Sequence, residues 1–175
     1  MSKKLEDFVI SIPDFPIKGI IFRDITGITN SAEGFRLAID GFKEILEKVE
    51  FDAIAATESR GFIFGAPLAY HFNKPLVLIR KKGKLPRETI SREYALEYGT
   101  AEIEMHTDSI KKGQRVVLID DLIATGGTIK ACAELVEELG GEIVKILFVM
   151  ELKGLNGRAM LEGYDIDSLV QYEGN

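Results

Sequence analysis

Val116-Val117-Leu118-Ile119-Asp120-Asp121-Leu122-Ile123-Ala124-Thr125-Gly126-Gly127-Thr128 reads as a strand, two acids, a short loop and the first turn of a helix. Each part has a physical use. The apolar run Val116–Ile119 is the clearest strand in the chain, and it carries the two acids at its carboxyl end. Gly126 and Gly127 have no Cβ, so the backbone there can approach a ligand closely. A helix opening at this point offers free N–H groups and a positive dipole end, which suits a phosphate. Thr125 and Thr128 can add hydroxyl donors. Asp120 and Asp121 can accept hydrogen bonds from sugar hydroxyls or stabilise positive charge on a sugar.

Other uses of a similar pattern fit less well. Response-regulator receiver domains also follow a strand with paired acids, which hold Mg²⁺, but they place them near the N-terminus. A P-loop needs Gly-Lys-Ser/Thr at the helix start, and this helix opens Gly-Gly-Thr-Ile-Lys. The Gly-x-Gly-x-x-Gly dinucleotide fingerprint is absent.

Outward from this stretch the chain alternates between strand and helix signals. Gly126-Gly127 leads into a helix with Ile129, Cys132, Val136 and Leu139 on one face, ended by Gly140-Gly141. Ile143 to Val149 is another apolar strand. Upstream, Ala53–Ala56 and Leu76–Ile79 are short apolar runs of the kind buried in parallel sheets. Phe62 to Phe72 reads as a helix in which Pro67 predicts a kink or a later start. Asn30 is expected to begin a helix with Glu33 as its capping partner, followed by Phe35, Ala38, Phe42, Ile45, Leu46 and Val49 at helical spacing. The first residues, broken by Pro13, Pro16, Gly19 and Gly27, read as a short helix and an irregular loop. Residues 81–99 are polar, contain Gly83, Pro86 and Gly99, and read as a long loop of the kind that serves as a lid. Together these signals predict an α/β fold: a central, mostly parallel sheet flanked by helices. Such folds bind ligands at the carboxyl ends of their strands.

The 175 residues suggest one domain, with enough chain to bury a core. The chain is 46% hydrophobic and 29% charged, ordinary for a soluble globular protein. No apolar run reaches membrane-span length, and the N-terminus lacks the pattern of a secretory signal. The single cysteine, Cys132, fits a reducing, cytoplasmic compartment, and its apolar helix face makes it an inert core thiol. A net charge of −6 argues against general nucleic-acid binding but allows a small basic pocket, for which Arg80-Lys81-Lys82-Gly83-Lys84 is the obvious cluster. His71 and His106 have no partners at metal-ligand or triad spacing and read as structural.

The stretch from Asp120 to Thr128 resembles the phosphoribosyl-pyrophosphate motif of the type I phosphoribosyltransferases. The adenine-specific branch of that family is resembled further by Ile12-Pro13-Asp14-Phe15-Pro16, by Gly19-Ile20-Ile21-Phe22-Arg23-Asp24-Ile25-Thr26, and by Glu58-Ser59-Arg60-Gly61-Phe62-Ile63-Phe64-Gly65. Arg80 to Pro86 and Tyr94-Ala95-Leu96-Glu97-Tyr98-Gly99 extend the match, in order, over nearly the whole chain. The resemblance implies the type I phosphoribosyltransferase fold as a single domain over 1–175. Residues 1–30 and 151–175 would form a small base-binding hood, and residues of about 81–99 a flexible lid. It implies transfer of the phosphoribosyl group of 5-phosphoribosyl-1-pyrophosphate to adenine, giving AMP and pyrophosphate.

The same resemblance assigns roles. Asp120 and Asp121 would meet the ribose hydroxyls, while Ala124, Thr125, Gly126, Gly127 and Thr128 would cradle the 5′-phosphate. Glu58, Ser59, Arg60, Arg80, Lys81 and Lys84 would surround the pyrophosphate, Arg80, Lys81 and Lys84 partly from a neighbouring subunit, with a cis peptide at Glu58–Ser59. Ile21, Phe22 and Arg23 would read adenine on one face, with Phe22 stacking on the ring, and Leu152 would cover the other. Glu97 would be the acid–base group and Tyr98 would support lid closure or ribose contacts. Mg²⁺, held mainly by substrate oxygens, and a homodimer are implied, with neither nucleic acid nor membrane as partner. The chain departs from the family pattern at Lys18, Gly27 and Arg87. Two alternatives stay open at this point: a phosphoribosyltransferase for another purine such as xanthine, and a regulator that senses phosphoribosyl pyrophosphate without turning it over.

Overall fold

The computed structural model describes residues 3–96 and 99–174. Its strands are β1 (Ile10–Pro13), β2 (Ile21–Asp24), β3 (Ala53–Thr57), β4 (Leu76–Lys81), β5 (Thr89–Ala95), β6 (Thr100–His106), β7 (Arg115–Ile123), β8 (Glu142–Leu152) and β9 (Ile166–Tyr172). Its α-helices are α1 (Thr26–Thr29), α2 (Ala32–Leu46), α3 (Arg60–His71) and α4 (Gly127–Glu138). Seven strands form the main sheet in the order β5-β6-β4-β3-β7-β8-β9. Strands β4, β3, β7, β8 and β9 run parallel, and β6 and β5 add an antiparallel extension at one edge.

The apolar run in β7 explains the layering. Side chains alternate across a strand. Val116 and Leu118 therefore enter the core on the α4 side, with Ile129, Cys132, Val136 and Phe148. Val117 and Ile119 enter the opposite core, with Phe42, Phe64 and Leu68 from α2 and α3. Helices cover both faces, so every position of the run is buried and no polar alternation is seen.

Connections through α3 and α4 set where a ligand can sit. The β3–α3–β4 unit steps toward one edge of the sheet and the β7–α4–β8 unit toward the other. The crevice between the carboxyl ends of β3 and β7 is therefore a topological switch point, with one helix N-terminus on each side.

Several boundaries differ from the sequence expectation. Helix α2 is capped by Ser31, not Asn30: the Ser31 hydroxyl accepts the Gly34 N–H at 3.1 Å. The opening segment is not an irregular loop after its short 3₁₀ turn (Leu5–Phe8) but a hairpin, β1 pairing antiparallel with β2. Helix α3 runs from Arg60 through Pro67 to His71, so the proline marks no later start. The 81–99 segment is not all loop. Its residues 89–95 pair with 100–106, giving the segment a strand whose alternation was masked by charge. Gly27, a departure from the family pattern, has a packing reason, since a Cβ there would lie 2.2 Å from the Phe8 carbonyl oxygen.

Candidate active site

A cavity of about 420 Å³ opens at the switch point. One wall is the end of β7 and the loop after it: Asp120, Asp121, Ala124, Thr125, Gly126, Gly127 and Thr128 all line it. Glu58, Ser59 and Arg60 form the facing wall, and Lys81 comes in from the end of β4. Residues 63 positions apart in sequence meet because Ala56 and Ile119 are register partners, which puts Thr57 beside Asp120.

The loop walls are built for anions. Helix α4 opens on Gly126, whose φ of 88° is the left-handed conformation that glycine adopts without cost. The first intrahelical bond at this end is the Lys130 N–H donating to the Gly126 carbonyl. The N–H groups of the preceding turn are thus left for a ligand, at the positive end of the helix dipole. Opposite, the peptide Glu58–Ser59 is cis, as expected, and α3 begins at the next residue.

Charges across the cavity are already paired. Arg60 Nε donates to Asp121 Oδ2 at 2.6 Å, and Asp121 is 4% exposed. Asp120 Oδ1 accepts the Asp121 backbone N–H at 2.8 Å. Enclosure by protein, and then the neighbouring Asp121 carboxylate, push the Asp120 pKa well above the ordinary aspartate value. Ionising Asp120 is thus disfavoured in the pocket. Asp120 needs a glycine beside it, because a Cβ on Gly61 would come within 2.9 Å of the Ile119 carbonyl oxygen and 3.2 Å of the Asp120 Oδ1.

Glu58 lines the cavity, but its carboxylate serves the protein. It accepts the Lys81 N–H at 2.9 Å and the Arg80 Nε at 3.2 Å. Burial works to raise the Glu58 pKa, yet these donors outweigh it and hold the carboxyl below its usual range. Arg80 is therefore spent on Glu58 and on the Lys84 carbonyl, and neither Arg80 nor Lys84 lines the cavity.

The residues expected to form a base-binding hood lie elsewhere. Ile21, Phe22 and Arg23 sit on β2, and Leu152 ends β8; none is in the cavity wall. Phe22 is 37% exposed, with its ring 5.3 Å from Phe15 in an edge-on contact. The Arg23 guanidinium lies 4.0 Å over the Tyr172 ring, which joins the N-terminal hairpin to β9. Glu97 and Tyr98 lie outside the described residues.

Sequence reasoning missed several contributors. Thr57 and Tyr94 line the cavity, Thr57 being 3% exposed. Glu104, 2% exposed on β6, accepts the N–H groups of Lys84 and Leu85 at 2.9 and 2.8 Å and so ties down the start of the 81–99 segment. Burial would raise the Glu104 pKa, but these backbone donors outweigh it and lower it. Glu104 alternates with apolar residues in β6 just as Glu102 does, so nothing local marks it for this task. Cys132 is fully buried, and burial pushes its thiol up to about 12, the inert core thiol expected.

Known proteins resemble the chain over nearly its whole length. The family model described as phosphoribosyl transferase domain matches residues 25–170. The adenine phosphoribosyltransferase of Agathobacter rectalis is 60% identical over 172 residues, covering 98% of this chain and 99% of that one. The chain belongs to the phosphoribosyltransferase family, in its adenine phosphoribosyltransferase branch. Solved structures of that branch superpose closely. The enzyme from Thermoanaerobacter pseudethanolicus gives a TM-score of 0.92 at 53% identity, covering 96% of this chain and 98% of that one. The Saccharomyces cerevisiae enzyme, solved with an imino-altritol bisphosphate and adenine, gives 0.89 at 39% identity, covering 94% and 96%. The expected type I phosphoribosyltransferase fold is thus the observed one.

Proposed function

We propose that the protein transfers the phosphoribosyl group of 5-phosphoribosyl-1-pyrophosphate to N9 of adenine, releasing pyrophosphate and forming AMP. One observation carries the reading: the free N-terminal turn of α4, with Gly126, Gly127 and Thr128, faces Ser59 and Arg60 across a cavity floored by Asp120 and Asp121. That arrangement offers an anion seat at each end and sugar-hydroxyl acceptors between them.

In this reading the Ala124–Thr128 loop holds the 5′-phosphate, and Asp120 and Asp121 hold the ribose. Ser59, Arg60 and Lys81 face the pyrophosphate. Glu58, Arg80 and Lys84 act behind them: Glu58 fixes the Lys81 backbone and Arg80 braces Glu58. Positive charge grows on the sugar as pyrophosphate leaves, as in glycoside chemistry. The Asp120–Asp121 carboxyls lie on the side where that charge develops, and Arg60 and Lys81 where the negative charge collects. Alignment of adenine N9 with the sugar carbon supplies much of the rate. We assign adenine to Ile21, Phe22 and Arg23 on one face and Leu152 on the other, in a hood formed by residues 1–30 and 151–175; the Arg23–Tyr172 contact supports that grouping. A backbone acceptor facing the 6-amino group would reject 6-oxo purines, which present an acceptor there. Glu97 is assigned the proton on the adenine imidazole ring and Tyr98 a part in closing the 81–99 segment, which would exclude water.

The donor set fits a Mg²⁺ carried by the substrate. Asp120 and Asp121 are adjacent, Asp121 is engaged by Arg60, and the described residues contain no cluster of three acidic, His or Cys side chains around a point. The ion would neutralise the pyrophosphate as it departs. Partners are two small molecules and a second copy of the chain, in the cytoplasm. Support for the homodimer is an exposed apolar stripe on α3, Ile63 at 40% and Tyr70 at 91% exposure, beside Leu78 of β4 at 38%.

A purine panel with phosphoribosyl pyrophosphate and Mg²⁺, read by pyrophosphate release, tests the reading. Release with adenine alone is expected. Release only with a 6-oxo purine would overturn the adenine assignment, and binding without release would point to a regulator.

A further inference from the structure

The loop assigned to the 5′-phosphate does not stand alone. Its backbone is pressed against the 3₁₀ turn Gly157–Leu161, which follows β8 after a first 3₁₀ turn, Lys153–Leu155. The contact is reciprocal and made by two glycines. A Cβ on Gly126 would lie 2.5 Å from the Gly157 carbonyl oxygen, and a Cβ on Gly157 would lie 2.3 Å from the Ala124 carbonyl oxygen and 2.8 Å from Ile123 Cγ1. Both obstacles at Ala124 and Gly157 are backbone, which cannot rotate aside as a side chain can. Gly157 is not among the residues with positive φ, so its backbone accepts any residue and contact alone demands glycine.

The turn is itself held rigidly. Arg158 grips Glu151 with two parallel bonds, Nε to Oε1 at 2.7 Å and Nη2 to Oε2 at 2.8 Å, and its Nη1 donates to the Ile166 carbonyl at 3.1 Å. Glu151 is 5% exposed and takes a further bond from the Ser168 hydroxyl at 2.8 Å. The fork thus fastens the turn to the end of β8 and the start of β9. Glu151 is also the residue before Leu152, so one anchor serves both the base side and the phosphate side of the crevice.

We propose that Gly157, held by the Arg158–Glu151 fork, is a positioning residue that sets the height of the Ala124–Gly127 backbone and thereby the affinity for the 5′-phosphate. The inference rests on the phosphoribosyl reading of that loop. Close-packed backbone transmits displacement rather than absorbing it. A methyl group at Gly157 must therefore lift the Ala124 carbonyl or push the turn away, and either moves the N–H groups that point into the cavity. Adenine contacts on β2 lie outside this chain of contacts.

The test is calorimetry with ribose 5-phosphate, together with steady-state turnover, on wild type, Gly157→Ala, Arg158→Gln and Arg158→Lys. Gly157→Ala is expected to weaken ribose 5-phosphate binding about tenfold or more and to raise KM for phosphoribosyl pyrophosphate in parallel. Its kcat at saturating substrate should stay within about threefold, as for loss of uniform binding. Arg158→Gln should follow the same direction and Arg158→Lys should recover part of the loss. Wild-type affinity in a folded Gly157→Ala protein would overturn the proposal. So would equal losses in kcat and in both substrate affinities, which mark general damage. Should Gly157→Ala fail to fold, unchanged ribose 5-phosphate affinity in Arg158→Gln decides against the proposal. Failure of the wild type to bind ribose 5-phosphate would instead remove the phosphoribosyl reading of the loop, a distinguishable result.

Discussion

Asp120 and Asp121 sit side by side at the end of β7, and the crowding that would serve the proposed ribose contacts also carries a cost in stability. The folded protein raises the Asp120 pKa above the ordinary 3.8, through enclosure and through Asp121. A carboxyl whose pKa is raised by folding binds its proton more tightly in the native state, so stability falls as pH climbs from 3.8 through the folded pKa. Asp120→Asn cannot ionise and should escape that penalty. Its melting temperature is expected to exceed wild type at pH 7, by roughly 2–4 °C for each 1 kcal/mol gained in a chain of this size. The difference should close as pH approaches 4, in scanning calorimetry at both pH values. The same variant should bind phosphoribosyl pyrophosphate at least about tenfold more weakly, since a charge-assisted hydrogen bond is lost. A gain in stability with a loss in binding is the usual signature of a site held against its own folding preference.

Strand β5 shows how a charged segment becomes an ordered arm. It pairs along its whole length with β6 and is itself the edge strand of the sheet, where charged side chains discourage pairing with other strands. Arg92 ties the arm to α4 through Glu134 at 3.2 Å and Glu138 at 2.8 Å. These three side chains are each more than a third exposed, so screened ion pairs of this kind contribute only about 0–1 kcal/mol. Arg92→Ala should therefore leave global melting nearly unchanged, while amide exchange in residues 89–95 quickens and does so more in low salt than in high, where wild type is already weakened. Helices α3 and α4 were legible to within about two residues because their apolar spacing is local, whereas α2 ends at Leu46 short of Val49 and the single-turn α1 was not foreseen. Strands β5, β6 and β9 were not legible, because their residues are charged or mixed and carry no continuous apolar run, so only their pairing in the sheet marks them as strands.

Ion pairs and backbone donors across the described molecule favour ionised acids. Arg115 hydrogen bonds hold Asp52 down to about 2, joining the starts of β3 and β7. Asp24, Glu58, Glu102, Glu104, Asp108 and Glu151 are lowered as well. A lowered carboxyl contributes stability above its unfolded pKa and loses it as pH falls through the folded one. Thermal stability should thus drop steeply between about pH 4.5 and pH 2, the opposite trend to that of Asp120, and Asp52→Asn should flatten the lower part of the curve in a melting series. At the level of assembly, Tyr70→Glu places a charge in the α3 stripe. It should convert the proposed dimer to monomer in sedimentation analysis with little change in secondary structure. A wild type that sediments as a monomer would remove the dimer proposal.

Much of the site was readable in the linear chain. Strand, paired acids, glycine loop and helix start are contiguous, and each residue's use follows from its own chemistry: no Cβ on Gly126 and Gly127, carboxylates on Asp120 and Asp121, an apolar run that needs cover on both faces. The parallel sheet followed from the same local signals. Long-range pairing was not readable. That Arg60 rests on Asp121, that Arg80 is spent on Glu58, that Glu104 ties Lys84 and Leu85, and that Gly157 backs Ala124 depend on which distant segments fold together. Those contacts arise from burial and close packing summed over the whole chain, and no short stretch of residues carries that sum.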